Sequence, residues 1–282
     1  MTSNSSAGST AQVSLSGTVA APPQPPRTTS PASFARGYYV VTARGNTYNY
    51  GRTWHGSAAS SSHPPIVGMA SSPTGGYWEA TSAGNVLNFG TGWYGSMAGK
   101  ALPAPVVAVV STPDGKGYWL VTAKGNVYNF GDAAWMGSPA AALAQSGPAA
   151  SPVVGMGATA DGRGYWLVTA SGKVFAFGDA TWHGNAPADA SRVVGMAPSP
   201  NDGGYLLATA SGQVMTVGSA SWHGSMAGRP LPAPVVGMVA TPDGGGYWLV
   251  TAKGNVFNFG DAPWVGSAAG QNAGSPVVGL GA

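Results

Sequence analysis

Six tryptophans, Trp54, Trp93, Trp135, Trp182, Trp222 and Trp264, each stand two residues before a glycine in a W-x-G triplet. A flat indole can stack on the apolar face of a sugar ring, and the same ring can seal a gap between packed elements. Three aspartates, Asp132, Asp179 and Asp261, come three residues earlier in FGD triplets. A carboxylate there could accept hydrogen bonds from sugar hydroxyls, or it could cap its own turn. Arg52, Thr91 and Ser219 take that place in the other copies. These tryptophans and aspartates are the candidate ligand-binding residues. Glu79, the sole glutamate, lies in an apolar stretch where other copies carry Val40, Leu120, Leu167, Leu206 and Leu249. A single carboxylate has no visible partner for glycosidase-type acid–base work. No G-x-S-x-G elbow, Walker loop or H-E-x-x-H occurs. The expectation is therefore binding, with no catalytic residue, metal or cofactor.

These residues belong to one phrase, G-Y-W-L-V-T-A-x-G-N-V-x-N-F-G-D-A-x-W-x-G-S, which starts at Gly37, Gly76, Gly117, Gly164, Gly204 and Gly246. A period of roughly 40 residues is the mark of a repeat architecture. Each copy reads as four strands. In the last full copy, Pro234–Met238 is a short apolar strand and Thr241–Gly244 a turn. Gly246–Ala252, rich in aromatic and β-branched residues, is a second strand. Lys253–Gly254 has the size of a two-residue hairpin loop, Asn255–Gly260 is a third strand, and Pro263–Ser267 reads as a short outer one. Four antiparallel strands in this length match a β-propeller blade. The sequence thus predicts an all-β fold, a six-bladed β-propeller of four-stranded blades.

The ends complete the pattern. The first copy begins at Gly37 with no PVVGM-like strand before it, and Pro276–Leu280 has no GYWLV after it. Pairing the last strand with Gly37–Ala43 would close the ring and remove exposed sheet edges. In such a ring the TPDG and GDA turns share one face and give it most of the aspartates, diluted by Lys116 and Arg163. The histidines after the tryptophans, His55, His183 and His223, would sit around the axis, too far apart to share a zinc ion. The inter-blade loops vary most, and the longest is Pro139–Ser151.

Composition excludes several other classes. Charged residues make up 7% of the chain and the formal charge is +3, without a Lys/Arg cluster of the kind nucleic-acid binding needs. No apolar run reaches the ~20 residues of a membrane span. Cysteine is absent, so disulfides and thiolate chemistry are excluded.

The phrase resembles a repeat of secreted actinobacterial proteins with GYWLV and FGDA hallmarks. Thr112–Ser138, TPDGKGYWLVTAKGNVYNFGDAAWMGS, follows that pattern almost word for word, and the resemblance covers about residues 37–282. It implies a β-propeller, often attached to cell-wall hydrolases or other secreted domains, that binds rather than catalyses. Tachylectin-type propeller lectins are similar in organisation, with one sugar site per blade.

Residues 1–36 lie outside the repeat and are rich in Ser, Thr, Ala and Pro. Ala21–Pro31 reads as extended and semi-rigid, and Gln12–Val19 alternates like a strand that could join a partner's sheet. No secretory signal is visible, so for an extracellular or particle-associated life either the signal has been removed or the protein leaves its cell by another route, such as lysis or a secretion machine. The expected function is recognition of cell-surface or cell-wall carbohydrate through repeated blade sites. The alternative is a structural or adhesive component, such as a phage tail tip, anchored on a protein assembly through residues 1–30.

Overall fold

The computed structural model describes residues 37–147, 150–271 and 274–282. The expectations for residues 1–36 lie outside the described residues. In chain order the strands are β1 (Tyr38–Thr42), β2 (Thr47–Tyr50), β3 (Ile66–Ser71), β4 (Tyr77–Thr81), β5 (Val86–Phe89), β6 (Val106–Ser111), β7 (Gly117–Thr122) and β8 (Val127–Gly131). After a short helix, α1 (Ala140–Gln145), come β9 (Val153–Ala158), β10 (Gly164–Thr169), β11 (Val174–Gly178), β12 (Val193–Pro198), β13 (Gly204–Thr209) and β14 (Val214–Gly218). The last four are β15 (Val235–Ala240), β16 (Gly246–Thr251), β17 (Val256–Gly260) and β18 (Val277–Gly281).

They form six three-stranded antiparallel sheets, so the architecture is all-β with six blades. Five blades are sequence-consecutive, β3-β4-β5 being the first of these. Blade 1 has the order β18-β1-β2. The chain's last strand lies against its first, with Tyr39 opposite Gly281 and Val40 opposite Leu280. The inner strands touch in the cycle β3, β6, β9, β12, β15, β18 and back to β3.

Burial explains the pattern within each blade. The middle strand is buried along its whole length, as in Gly117–Thr122. Both of its faces pack against neighbouring blades, so it tolerates an unbroken apolar run. The third strand is only half covered and alternates, Val127 being buried and Asn129 exposed. The hairpin between these strands is one residue longer than the sequence suggests. Gly125 N–H donates to Thr122 O at 2.8 Å, and Thr122 N–H to Asn126 O at 3.0 Å. Gly125 has φ 82°, which makes a three-residue turn with a glycine bulge.

The expected fourth strand does not form among the described residues. The chain after each third strand runs beside it without a ladder. Side chains take the backbone groups a strand would have used. Asn88 Nδ2 donates to Thr91 O at 2.7 Å, and Trp93 Nε1 to Val86 O at 3.3 Å. The W-x-G glycine then takes a left-handed φ, 136° at Gly137 for example, which breaks extended geometry.

That glycine joins one blade to the next. Its carbonyl accepts the hydroxyl of the following blade's GYW tyrosine: Tyr118 to Gly95 at 2.5 Å, Tyr165 to Gly137 at 2.7 Å and Tyr205 to Gly184 at 2.5 Å. Tyr77 to Gly56 and Tyr247 to Gly224 make the same bond. Tyr38 donates to Gly266 O at 2.5 Å, so the sixth bond runs from blade 1 to blade 6. Ring pairs back these bonds. Trp78 packs on Tyr118 with centroids 5.3 Å apart, Trp119 on Tyr165 at 5.7 Å, Trp166 on Tyr205 at 5.8 Å and Trp248 on Tyr38 at 5.4 Å. Tyr39, in the tryptophan's place in blade 1, packs on Tyr77 at 4.5 Å. Blade 5 carries Leu206 there and makes no such pair with Tyr247.

Candidate functional site

The six W-x-G tryptophans are the exposed large apolar side chains of the described residues, between 55% and 62% exposed. The GYW aromatics, by contrast, are buried, Trp78, Trp119 and Trp166 completely. The two tryptophan sets therefore divide the two roles, one sealing the blade interfaces and the other facing solvent. Two of the exposed rings are tethered by their ring nitrogens. Trp93 Nε1 donates to Val86 O, and Trp182 Nε1 to Val174 O at 3.2 Å. Each bond lays the ring along the outer edge of its third strand, with much of the indole left open.

The FGD aspartates sit elsewhere, on the turn between third strand and W-x-G. Asp132 N–H donates to Lys116 O and Asp179 N–H to Arg163 O, both at 3.2 Å. Asp261 accepts from the Thr241 hydroxyl at 3.4 Å. Each stands beside the aspartate of its own blade's preceding turn: Asp132 by Asp114, Asp179 by Asp161, Asp261 by Asp243. None of the three bonds to a tryptophan among the described residues. Burial, then the Asp243 charge, raises the Asp261 carboxyl. The Thr241 hydroxyl and the Gly245 N–H lower that of Asp243. Asp114, held by the Lys116 N–H and ammonium, is lowered to about 2. Lys116 lies 3.1 Å from Asp114 and Arg163 3.8 Å from Asp161, so the cations of this face neutralise aspartates of their own turns.

The residue after each exposed tryptophan docks on the next blade. His183 Nε2 donates to Asp202 O at 2.9 Å and His223 Nε2 to Gly244 O at 3.0 Å. Tyr94 donates to Gly115 O at 3.2 Å, and the His55 ring packs edge-on against Tyr77 at 6.2 Å. No three of His, Asp or Glu are grouped to hold a metal among the described residues.

Glu79 is shut off from solvent, at 0% exposed. It accepts a hydrogen bond from Thr47 across the interface of blades 1 and 2. Its second oxygen, Oε2, has no partner. Burial raises its pKa to about 7, against the lowering effect of Thr47. A carboxylate in this position cannot touch a bound molecule without the blades parting.

Two residues of blade 5, Asp202 and Leu206, take structural roles that differ from those of their counterparts in the repeat. Asp202 has φ 55°, the left-handed value that glycines take in the matching turns, and its carboxylate accepts the Ala160 N–H of blade 4 at 3.0 Å. Leu206, read in the sequence as the counterpart of Glu79, stands instead in the register of the GYW tryptophan, opposite Thr216 as Trp248 is opposite Asn258; Leu207 is the residue matching Glu79, and Leu206 leaves a hollow. Both were visible as departures from the repeat, Asp where TPDG has Gly and Leu where GYW has Trp.

Among the described residues no helix is long and apolar enough to cross a membrane. Comparison with known proteins finds no family model and no curated protein that matches the chain. Among solved structures, the chain is similar to the β-propeller domain of Cps50 (Swd1) from Myceliophteria thermophila. The TM-score is 0.47 and the identity 10%, over 73% of each chain.

Proposed function

We propose that this chain is a non-catalytic binding module, a closed six-bladed propeller that recognises cell-surface or cell-wall carbohydrate through its W-x-G tryptophans. The observation that carries the reading is the repetition of one exposed indole in all six blades, each more than half open. A lone exposed aromatic needs no explanation, but six at equivalent positions do. An indole offers a flat apolar face to the C–H face of a pyranose, and fixing the ring beforehand spares part of the ordering cost. Weak equivalent sites gain avidity on a repetitive polymer. The FGD aspartates are engaged in their turns, so the proposal rests on the tryptophans. Closure of the ring is supported by the β1–β18 pairing and the Tyr38–Gly266 bond.

Pull-down on purified wall polysaccharide, beside a glycan array, tests this. The folded protein should bind at least one polysaccharide. Replacing Trp93, Trp135 and Trp182 together by alanine should weaken retention by at least roughly tenfold, since each lost site multiplies through avidity. Unchanged retention of a folded variant lacking all six indoles would sink the reading.

A further inference from the structure

One blade breaks the internal rule of the others, and the break leaves a hole. In five blades an aromatic side chain of the middle strand reaches a carbonyl just before the exposed tryptophan. Trp78 Nε1 donates to Gly92 O at 2.7 Å, Trp119 Nε1 to Ala134 O, Trp166 Nε1 to Thr181 O and Trp248 Nε1 to Pro263 O at 2.8 Å. In blade 1 the Tyr39 hydroxyl reaches Thr53 O at 2.6 Å. Blade 5 has Leu206, which carries no donor and less bulk, and the matching carbonyl, Ser221 O, receives no hydrogen bond from the described residues. Where the other blades place a ring, a hollow of about 220 Å³ opens between blades 5 and 6. Leu206 and Ala240 line it on the apolar side, and Ser221 and Asp243 among its polar residues.

The geometry points to a binding pocket in this hollow for a planar aromatic ring that carries a ring N–H, of the indole class. Five blades show the chemistry the space accepts: a flat ring against the apolar wall, with one donor aimed at the carbonyl. A cavity of roughly 150 Å³ is enough to take up benzene, so this hollow suits a small ring rather than a drug-sized ligand. Asp243 adds a preference. Its carboxylate accepts the Gly245 N–H at 3.1 Å and stays anionic at neutral pH. A ligand with an ammonium beside the ring would gain from it, as charge-assisted hydrogen bonds outweigh neutral ones.

The experiment is calorimetric titration of the full chain with indole, indene and tryptamine, with N-acetyltryptophanamide standing for a tryptophan of a partner polypeptide. Indole is expected to bind at one site per chain, more tightly than indene, which lacks the N–H. Tryptamine should exceed indole, and Asp243→Asn should remove that advantage. Leu206→Trp restores the repeat's own ring and should weaken indole binding by roughly tenfold or more while raising the melting midpoint. Leu206→Tyr, copied from blade 1, is the second variant should the first misfold. Binding of N-acetyltryptophanamide as tightly as indole would assign the pocket to a partner's side chain. Its exclusion while indole binds would assign the pocket to a free small molecule. The proposal is overturned if indole gives no binding up to its solubility, if indene binds equally, or if a folded Leu206 variant binds indole like the wild type.

Discussion

Glu79 and Thr47 replace apolar residues on facing sides of one interface. Other blades carry Leu120, Leu167, Leu207 and Leu249 at the first place and Val86, Val127, Val174, Val214 and Val256 at the second. Burial disfavours the carboxylate and pushes the Glu79 pKa to about 7 from 4.5. The folded chain therefore holds a proton that the unfolded chain releases between those values. Stability from this site is present at low pH and is lost as pH rises from about 4.5 to about 7. The whole excursion is worth about 3 kcal/mol. Thermal melting should show a midpoint that falls between pH 4.5 and pH 7.5 in the wild type, and a smaller fall in Glu79→Leu/Thr47→Val. An unchanged slope in the double variant would mean that other groups set it. The oddity of Glu79 was legible in the sequence from its counterparts. Its partner was not, because Thr47 lies a blade away and only the packing of one blade on the next brings the two together.

At the scale of elements, the W-x-G segment is where sequence pattern and structure diverge. Aromatic and apolar residues suggested a fourth strand, but a ladder requires continuous extended backbone, and the glycine prevents it. A Cβ on Gly137 would lie 2.5 Å from Cδ1 of Phe177 in the next blade. Its φ of 136° is strained for any other residue. Gly137→Ala should destabilise the protein by about 1–3 kcal/mol, through strain and overpacking together. Tyr165→Phe removes only the hydroxyl bonded to Gly137 O, and should cost about 1 kcal/mol. Chemical denaturation of the two variants would rank them, and a costlier Tyr165→Phe would refute the steric account. The inner, middle and third strands were readable, because burial on two faces, or on one, leaves continuous or alternating apolar runs. The hairpin loop is one residue longer than its two-residue trace suggests, since a glycine bulge and a two-residue turn look much the same in a sequence. The exposed tryptophans were readable as candidates, yet their letter could not separate a sealed ring from an open one. That needed the buried GYW set, which already fills the interfaces.

For the whole molecule, the meeting of blade 6 and blade 1 differs from the other interfaces in one respect. Blade 1 is built from both ends of the repeat region, β18 supplying its inner strand. Removing residues 276–282 would take away that strand, expose Val40 and Val41 of β1, and strip the neighbouring inner strands β3 and β15 of a contact. The melting midpoint of this deletion should drop by at least roughly 6–12 °C, as about 3 kcal/mol at 2–4 °C each implies for a domain of this size. A midpoint equal to that of the full chain would contradict the proposed closure of the ring.

The direction of that pairing has a mechanical consequence. β18 runs antiparallel to β1, and its Gly281 end lies opposite Tyr39 at the start of β1. A pull applied to the two ends of this region would act at adjacent points of the ladder. The strands would then peel apart one bond after another, rather than resist as a row loaded in shear. Stretched between its two ends, the region would therefore open at low force in blade 1, whose inner strand is β18, while the five sequence-consecutive blades stay folded.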